Sequence, residues 1–349
     1  MRKTSEIVFN LIVGFTFILM LAGCGSRSNN YIINVSYDPT REFYESYNKI
    51  FIEHWKTMTG NEIDIIQSHG GSGKQALEVA NGLEADVVTL ALEADITSIE
   101  NAGLIETGFT KEFEKESSPY TSAIVFLVRK GNPKEIKDWD DLIRDDVGVI
   151  TPNPKTSGGA RWNYLAAWYY FETQGNSEEE ILNKMKTLYS NVRVLDSGAR
   201  ASTTSFVENG QGDVLLAWEN EAFLTLEEYP GQYEIVIPSV SILCQPTVAI
   251  VDEMVEKHNT SEIATEYLKY LYSDEAQDLA AQNFYRPIND EVAKNYTVDG
   301  ECRTISETSE DGKWLINSIN LTDINHFGGW ATTTEIHFST GGYFDGIYE

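Results

Sequence analysis

Ile63-Asp64-Ile65-Ile66 is followed by the polar loop Ser68-His69-Gly70-Gly71-Ser72-Gly73 and then by a helix-like run from Lys74 to Asn81. The apolar run predicts a buried strand, and the glycines predict a turn that opens directly into the helix. Three other loops of small polar residues stand in the same place between a strand and a helix: Ser36-Tyr37-Asp38-Pro39-Thr40, Thr156-Ser157-Gly158-Gly159 and Ser197-Gly198-Ala199. This repeated order predicts an α/β fold with largely parallel sheets.

The four loops fall into two pairs along the chain. Ligands of α/β proteins bind at the carboxyl ends of strands, where these loops are expected. We therefore predict two lobes with a ligand cleft between them. Lobe 1 is predicted to comprise residues 31–119 and 247–349, whose C-terminal part is free to pack across the lobes, and lobe 2 is predicted to comprise residues 120–246. Hinge strands are expected near Pro119–Ser122 and Leu243–Thr247.

The chain has 349 residues and a formal charge of −28, from 26 basic and 54 acidic residues. This length is enough for two domains of ordinary size. The acidic excess argues against nucleic acid as a partner, because no basic surplus is available to neutralise phosphates. It favours a protein that is kept dispersed by self-repulsion, and we expect a monomer. The histidines show no metal-ligand spacing, so neither a metal nor another cofactor is expected.

The N-terminus predicts where the protein resides. A short basic start precedes the mostly apolar stretch Ile7–Leu21, which is too short to span a bilayer comfortably. The following Leu21-Ala22-Gly23-Cys24 resembles the lipobox of bacterial lipoproteins. That resemblance implies a diacylglyceryl group on Cys24 and cleavage before it, which makes residues 1–23 a signal peptide and residues 24–30 a flexible tether. An ordinary signal peptide with an incidental cysteine is the alternative.

On this interpretation the protein is extracytoplasmic and anchored to the cell membrane, in a periplasm or on the outer face of the cytoplasmic membrane. Cys244 and Cys302 then remain as ordinary cysteines. Oxidising surroundings permit a disulfide between them, and two buried free thiols fit the sequence equally well.

The four loops are rich in hydrogen-bond donors. A helix start presents unpaired backbone N–H groups and the positive end of the helix dipole, and glycine lets a ligand approach them closely. Ser72 and Ser157 add hydroxyl groups, and Trp218, at a strand end, adds an indole N–H that donates and never accepts. This inventory suits a buried anion that carries no proton. Asp38 either caps its helix or supplies one acceptor.

The same segments resemble the signature segments of the sulfate/thiosulfate-binding proteins of ABC importers. The segments that carry the resemblance are Asn34–Arg41, Gln67–Gln75, Asn153–Asn163, Asp196–Arg200, Ala217–Glu221, Asn283–Pro287 and Phe327–Trp330. The resemblance covers nearly the whole mature chain and implies a periplasmic-binding-protein fold in which the chain crosses twice between the lobes. It also implies a receptor that passes sulfate or thiosulfate to a membrane permease and catalyses no reaction.

The ligand contacts of that family fall on matching positions of this chain. By resemblance, sulfate is held by the backbone N–H groups of Asp38, Gly158, Gly159 and Ala199, the hydroxyls of Ser72 and Ser157, and the indole of Trp218. Arg161 and Arg200 either neutralise the site from behind or face solvent. Glu219 and Glu221 would repel an anion, so we expect them to point away or to pair with arginine.

Two alternatives remain open at this point. The same donors suit another tetrahedral oxyanion, such as molybdate or phosphate. The proximity of His69 to Ser72 also permits an extracellular serine hydrolase, although Ser72 lies outside a Gly-x-Ser-x-Gly elbow. The glycine-rich loop lacks the spacing of a nucleotide-binding P-loop. The polar segment 298–319 is expected to be a surface excursion.

Overall fold

The computed structural model describes residues 30–298, 303–307 and 312–348. The predicted signal peptide, the predicted lipidation site Cys24 and the second cysteine, Cys302, lie outside the described residues. Cys244 is buried, and its thiol donates to the carbonyl of Ile242 at 3.7 Å. Within the described ranges, every helix is too short or too polar to cross a bilayer.

Strands and helices alternate along the described chain. The strands are β1 (Tyr31–Tyr37), β2 (Asp64–Gly70), β3 (Val87–Leu90), β4 (Tyr120–Arg129), β5 (Val149–Pro152), β6 (Val192–Asp196), β7 (Val214–Trp218), β8 (Tyr233–Val236), β9 (Val240–Cys244), β10 (Thr247–Ile250), β11 (Arg286–Pro287), β12 (Thr304–Ile305) and β13 (Asn320–Thr322). The main helices are α1 (Arg41–Thr59), α2 (Ser72–Ala80), α3 (Glu93–Asn101), α4 (Gly158–Thr173), α5 (Glu178–Ser190), α6 (Ala199–Val207), α7 (Glu219–Glu228), α8 (Asp252–His258), α9 (Ser261–Tyr270), α10 (Asp274–Gln282), α11 (Asp290–Tyr296), α12 (Gly329–Thr333) and α13 (Tyr343–Tyr348).

Local sequence explains the limits of the elements near the cleft. The buried face of α1 is aromatic and consists of Phe43, Tyr44, Tyr47, Phe51 and Trp55. The helix ends at Gly60, whose φ of 78° lies in the left-handed region that favours glycine. β2 runs on through Gly70, past the predicted start of the loop at Ser68, because its parallel pairing with β1 extends to the pair Tyr37 and Gly70.

Two sheets form the centres of two lobes. The first sheet has the strand order β10-β3-β1-β2, in which β1 is parallel to both β2 and β3. The second sheet follows the order β12-β8-β4-β7-β5-β6, and β9 and β11 also pair with β4. β5 runs parallel to β6 and β7, whereas β4 is antiparallel to β7. The predicted α/β fold with two lobes is confirmed.

The chain passes between the two sheets close to the predicted hinge segments. It leaves the first sheet after β3 and enters the second at Tyr120, and it returns between Cys244 and Thr247. Helices α8, α9 and α10 then pack against the core of the first lobe. Beyond β11, Trp314, Trp330 and other apolar residues pack with the core of the second lobe. The C-terminal part of the chain therefore contributes to both lobes.

Candidate functional site

Four helix starts bring backbone N–H groups to the cleft. Asp38 opens the 3₁₀ turn before α1, Ser72 opens α2, Gly158 and Gly159 open α4, and Ala199 opens α6. The first N–H groups of a helix have no acceptor within the helix, and they carry the positive end of its dipole. These helices follow the carboxyl ends of β1, β2, β5 and β6, so each lobe contributes two of them.

The loops of the two lobes approach one another closely. A Cβ atom at Gly71 would lie 3.0 Å from the carbonyl oxygen of Ser197 and 3.1 Å from that of Thr156. A Cβ atom at Gly198 would lie 2.9 Å from Asp38 Oδ2. A side chain at Gly71 would have to displace backbone oxygens of the opposing loops, and one at Gly198 would have to displace the Asp38 carboxylate, so glycine permits the close approach at both positions. All four loops identified in the sequence therefore meet at one place.

Trp218 brings a buried donor to the same place. It ends β7, precedes the first residue of α7 and is 2% exposed. Its indole Nε1 has no hydrogen-bond partner within the described residues, and a Cβ atom at Gly159 would lie 3.2 Å from it. Gly159, Ala199 and Trp218 line one small cavity. An unpaired buried donor costs about 1–3 kcal/mol, and a ligand that accepts a hydrogen bond beside Gly159 would relieve that cost.

The two predicted serine hydroxyls are placed differently. Ser157 is the N-cap of α4, and its Oγ accepts a hydrogen bond from the backbone N–H of Ala160 at 3.3 Å, which leaves the hydroxyl hydrogen for a ligand. Ser72 Oγ donates to Asp95 at 2.5 Å and accepts from the backbone N–H of Ala91 at 2.9 Å. The single hydrogen of the Ser72 hydroxyl is therefore directed at Asp95 in this structure, and a bond from this hydroxyl to a ligand stays a prediction. Ser72 can still offer its backbone N–H, at the start of α2.

The described part of the chain contains no cluster of metal-ligating side chains, and within it Ser72 and His69 do not form the pair that the hydrolase alternative requires. His69 Nδ1 lies 2.8 Å from Ser36 Oγ, whereas the hydroxyl of Ser72 is bonded elsewhere. Burial, together with the positive charges of Arg41 and Arg200, lowers the pKa of His69 to about 4. Such an imidazole is a weak base near neutral pH. The geometry therefore overturns the hydrolase alternative.

The charged side chains behind the donors are paired with one another. Arg200 donates to both carboxylate oxygens of Glu42 at 2.9 Å and lies 3.3 Å from Glu221. Burial raises the pKa of Glu221, and Arg200 opposes that rise. Glu219 accepts from Arg286 at 2.6 and 2.8 Å. The expectation that Glu219 and Glu221 pair with arginine is confirmed.

Asp95 is a residue of the cleft that sequence reasoning missed. It is 5% exposed, accepts from the Ser72 hydroxyl and lies 3.9 Å from a guanidinium nitrogen of Arg161. Burial raises the pKa of Asp95, whereas Arg161 and the bond from Ser72 lower it. Trp162 makes a second contact between the lobes that the sequence does not indicate, because its Nε1 donates to the carbonyl of Ala91 in the opposite lobe at 2.9 Å. No local pattern marks these contacts, since the last one joins residues 71 positions apart.

Comparison with known proteins agrees with this architecture. The family profile of the bacterial extracellular solute-binding proteins matches residues 38–286. The chain is 52% identical to the sulfate-binding protein of Salmonella typhimurium over 337 residues, which are 96% of this chain and 98% of the relative. It is 44% identical to the thiosulfate-binding protein of Pseudomonas aeruginosa over 319 residues, 91% of this chain and 92% of the relative. The solved structure of the sulfate-binding protein SubI from Mycobacterium tuberculosis H37Rv matches with a TM-score of 0.73 at 29% identity, covering 87% of this chain and 98% of that one.

These matches bear on two of the predictions made from the sequence. The relatives are binding proteins and not enzymes, which confirms that the chain is not an enzyme. The resemblance of the loop segments to the sulfate/thiosulfate-binding proteins is also confirmed, because the identity extends over nearly the whole chain. The matched range includes every helix start of the cleft, from Asp38 to Ala199, as well as Trp218. The chain belongs to the family of bacterial extracellular solute-binding proteins that includes the sulfate- and thiosulfate-binding proteins.

Proposed function

We propose that the protein is the extracytoplasmic receptor of an ABC import system and that it binds sulfate or thiosulfate. The observation that carries the proposal is the buried Nε1 of Trp218, which has no partner in the described part of the chain and lies beside a helix start. A ligand that accepts hydrogen bonds would satisfy it. The names of the relatives, sulfate-binding and thiosulfate-binding protein, support the same two anions.

The proposed ligand set contains only hydrogen-bond donors. It consists of the backbone N–H groups of Asp38, Ser72, Gly158, Gly159 and Ala199, the hydroxyl of Ser157 and the indole of Trp218. Sulfate and thiosulfate carry no proton near neutral pH, so they can accept from every one of these groups. Hydrogen phosphate would turn its own hydrogen toward a donor at one position at least. The donor chemistry therefore favours dianions without a proton.

The strength of this set is compatible with a tight receptor. Hydrogen bonds to a charged acceptor contribute about 1.5–3 kcal/mol each, so seven of them give a gross contribution of about 10–20 kcal/mol. Desolvation of the dianion and ordering of the lobes offset much of that. A net binding free energy near about −8 kcal/mol corresponds to a dissociation constant of about 1 µM.

Closure of the lobes completes the proposed site, because each lobe supplies part of it. Asp38 and Ser72 belong to the strands and helices of the first sheet, whereas Gly158, Ala199 and Trp218 belong to those of the second. An anion held by both halves favours the closed form through its greater affinity for that form. The closed receptor then delivers the anion to the membrane permease.

We also propose that the receptor is a monomer held at the membrane by a lipid on Cys24. The support is the lipobox-like Leu21-Ala22-Gly23-Cys24 after a short apolar stretch. Cell fractionation of a Cys24→Ala variant tests the anchor. We expect the wild-type protein in the membrane fraction and less of the variant there, and equal membrane retention of the two would contradict the anchor.

Calorimetric titration of the protein with sulfate, thiosulfate, molybdate and phosphate tests the ligand. We expect sulfate or thiosulfate to bind with a dissociation constant of about 1 µM or tighter, and phosphate to bind at least about tenfold more weakly. Tight binding of molybdate or phosphate alone would replace the proposed ligand by another tetrahedral oxyanion. Absence of binding heat with all four anions would overturn the proposal.

A further inference from the structure

Lys155 joins the loop that carries Ser157 to the C-terminal end of the chain. Its Nζ lies 2.6 Å from Asp345 Oδ1 and donates to the carbonyl of Phe338 at 2.9 Å. Asp345 Oδ2 in turn accepts from the backbone N–H of Gly341 at 2.7 Å. The ammonium group therefore bridges an anion loop and two separate turns of the C-terminal segment.

The C-terminal segment is a well-packed base for this bridge. Residues 329–348, which we call the C-terminal brace, contain α12, the π-helical turn Thr334–Phe338 and α13. Phe344 and Ile347 lie in the hydrophobic core of the second lobe. Tyr343 stacks on Trp168 of α4 with ring centroids 5.3 Å apart. A side chain that is bonded to the brace is thereby tied to the core.

A second cation links the same loop to the same part of the brace. Arg161 Nε donates to the carbonyl of Pro154 at 3.0 Å, and its guanidinium lies 5.2 Å from the centroid of the Phe338 ring. Within the loop, the backbone N–H of Ser157 donates to the carbonyl of Asn153 at 2.9 Å. The residues just before and just after the Ser157 turn are therefore both connected to Phe338.

We propose that Lys155 and Asp345 are positioning residues for anion binding: through them, the C-terminal brace holds the loop so that Ser157 and Gly158 point their donors at the anion before it arrives. The inference rests on the proposed function. Neither residue of the pair contacts the anion. If the loop is in the binding conformation in only a fraction of the molecules, the apparent dissociation constant equals the intrinsic one divided by that fraction.

A direct electrostatic role for Lys155 makes a different prediction. An ammonium group near the cleft would attract an anion by itself, and the neighbouring Asp345 would weaken that attraction. Removing the carboxylate with Asp345→Asn would then strengthen sulfate binding. The brace predicts the opposite, because the loop loses its connection to the C-terminal segment. The sign of the change in the Asp345→Asn variant separates the two roles.

Calorimetric titration with sulfate of the wild type and of the Lys155→Met, Lys155→Arg and Asp345→Asn variants tests the brace. We expect Lys155→Met and Asp345→Asn each to weaken binding about 3- to 10-fold, which corresponds to a loop that is competent in about 10–30% of molecules. Lys155→Arg should stay within about twofold of the wild type, because arginine can still bond to Asp345. Lys294→Met is the matched control, since Lys294 forms an exposed ion pair with Glu291, and its affinity should be unchanged. Wild-type affinity in both Lys155→Met and Asp345→Asn, or tighter binding by Asp345→Asn, would overturn the inference.

Hydrogen–deuterium exchange without any anion judges the brace independently of the ligand. We expect backbone amides in residues 153–160 to exchange faster in Lys155→Met than in the wild type, while the thermal unfolding midpoints agree within about 2 °C. Equal exchange in the two proteins would overturn the brace. If the wild type binds no sulfate, the proposed function fails, and the exchange rates still decide whether Lys155 holds the loop.

Discussion

Replacing Trp218 by phenylalanine removes one hydrogen-bond donor from the proposed anion site and keeps an aromatic ring there. Trp218 is 2% exposed, and its ring packs against Tyr37 with centroids 5.4 Å apart. Its Nε1 has no partner in the described ranges, so the anion is the group expected to satisfy it. The Trp218→Phe variant therefore tests that one hydrogen bond.

The size of the effect follows from the charge of the ligand. One hydrogen bond to a charged acceptor contributes about 1.5–3 kcal/mol, and its loss raises the dissociation constant about 10- to 150-fold. In the anion-free protein two smaller effects oppose each other. The variant removes a buried N–H that lacks a partner, which stabilises the fold, and it leaves a small cavity, which destabilises it. We expect the free energy of unfolding without anion to change by less than about 1.5 kcal/mol.

Trp139→Phe is the matched control for this experiment. Trp139 is fully buried, and its Nε1 donates to the carbonyl of Val240 at 2.9 Å. The control therefore loses an internal hydrogen bond, and we expect it to lower the free energy of unfolding by about 1–3 kcal/mol while the sulfate affinity stays the same. Calorimetry gives the affinities, and urea denaturation gives the stabilities. A sulfate dissociation constant of Trp218→Phe within about twofold of the wild type would remove Trp218 from the anion site, and so would an equal loss of affinity in Trp139→Phe.

Three other changes have defined outcomes. Sulfate affinity should vary less than about twofold between about pH 6 and about pH 8, because the ligand loses no proton there and His69, with a pKa of about 4, stays neutral. A dissociation constant from calorimetry that changes steeply with pH would argue against a site made only of donors. Arg286→Met should lower the free energy of unfolding, measured by urea denaturation, by about 3–5 kcal/mol, because the buried Glu219 carboxylate loses its cation. Adding Glu219→Leu should restore most of the lost stability, and a larger loss in the double variant would contradict this account. Burial lowers the pKa of His337 from 6.5 to about 4, so between pH 6.5 and about 4 the unfolded chain binds a proton that the folded protein does not, and the free energy of unfolding falls as the pH drops. His337→Gln should flatten this part of a plot of thermal-unfolding midpoint against pH, and an unchanged slope would assign the effect to other groups.

The junctions between loops and helices were predictable because their determinants are local. Ser157 is the N-cap of α4, and the glycines that follow it mark the close approach, so the sequence indicates both the helix start and the donor groups. The start of α6 is less evident. The serines and threonines at 202–205 are weak helix formers and give this segment little local helical signal, yet α6 begins at Ala199. At this junction the tertiary structure outweighs local propensity.

The partners of the site residues were not predictable, because they lie far apart in the sequence. Ser72 and Asp95 are 23 positions apart, and Arg200 and Glu42 are 158 apart. A serine in a glycine-rich loop is a reasonable ligand residue, but only the fold shows that a buried carboxylate takes its hydrogen. The carboxylate of Asp38 lies against Gly198 of the opposite lobe, a contact that local sequence does not indicate.

The acidic composition is compatible with the proposed dianion because three acids beside the cleft, Glu42, Glu221 and Asp95, lie next to arginines. Glu42 and Glu221 both pair with Arg200, and Asp95 lies near Arg161. Because these guanidinium groups are engaged with carboxylates, the positive ends of the helix dipoles are the charges that face the ligand. Backbone amides do not titrate, so pH does not change the helix dipoles, and the effect of each dipole falls off within the first or last turn of its helix. Affinity at such a site therefore depends on how accurately the loops are held. For this reason the close contacts at Gly71 and Gly198 and the C-terminal brace should influence the affinity more than the net charge does. The excess of acid acts over longer distances, where salt screens it, so it should slow anion capture at low ionic strength without setting the equilibrium affinity.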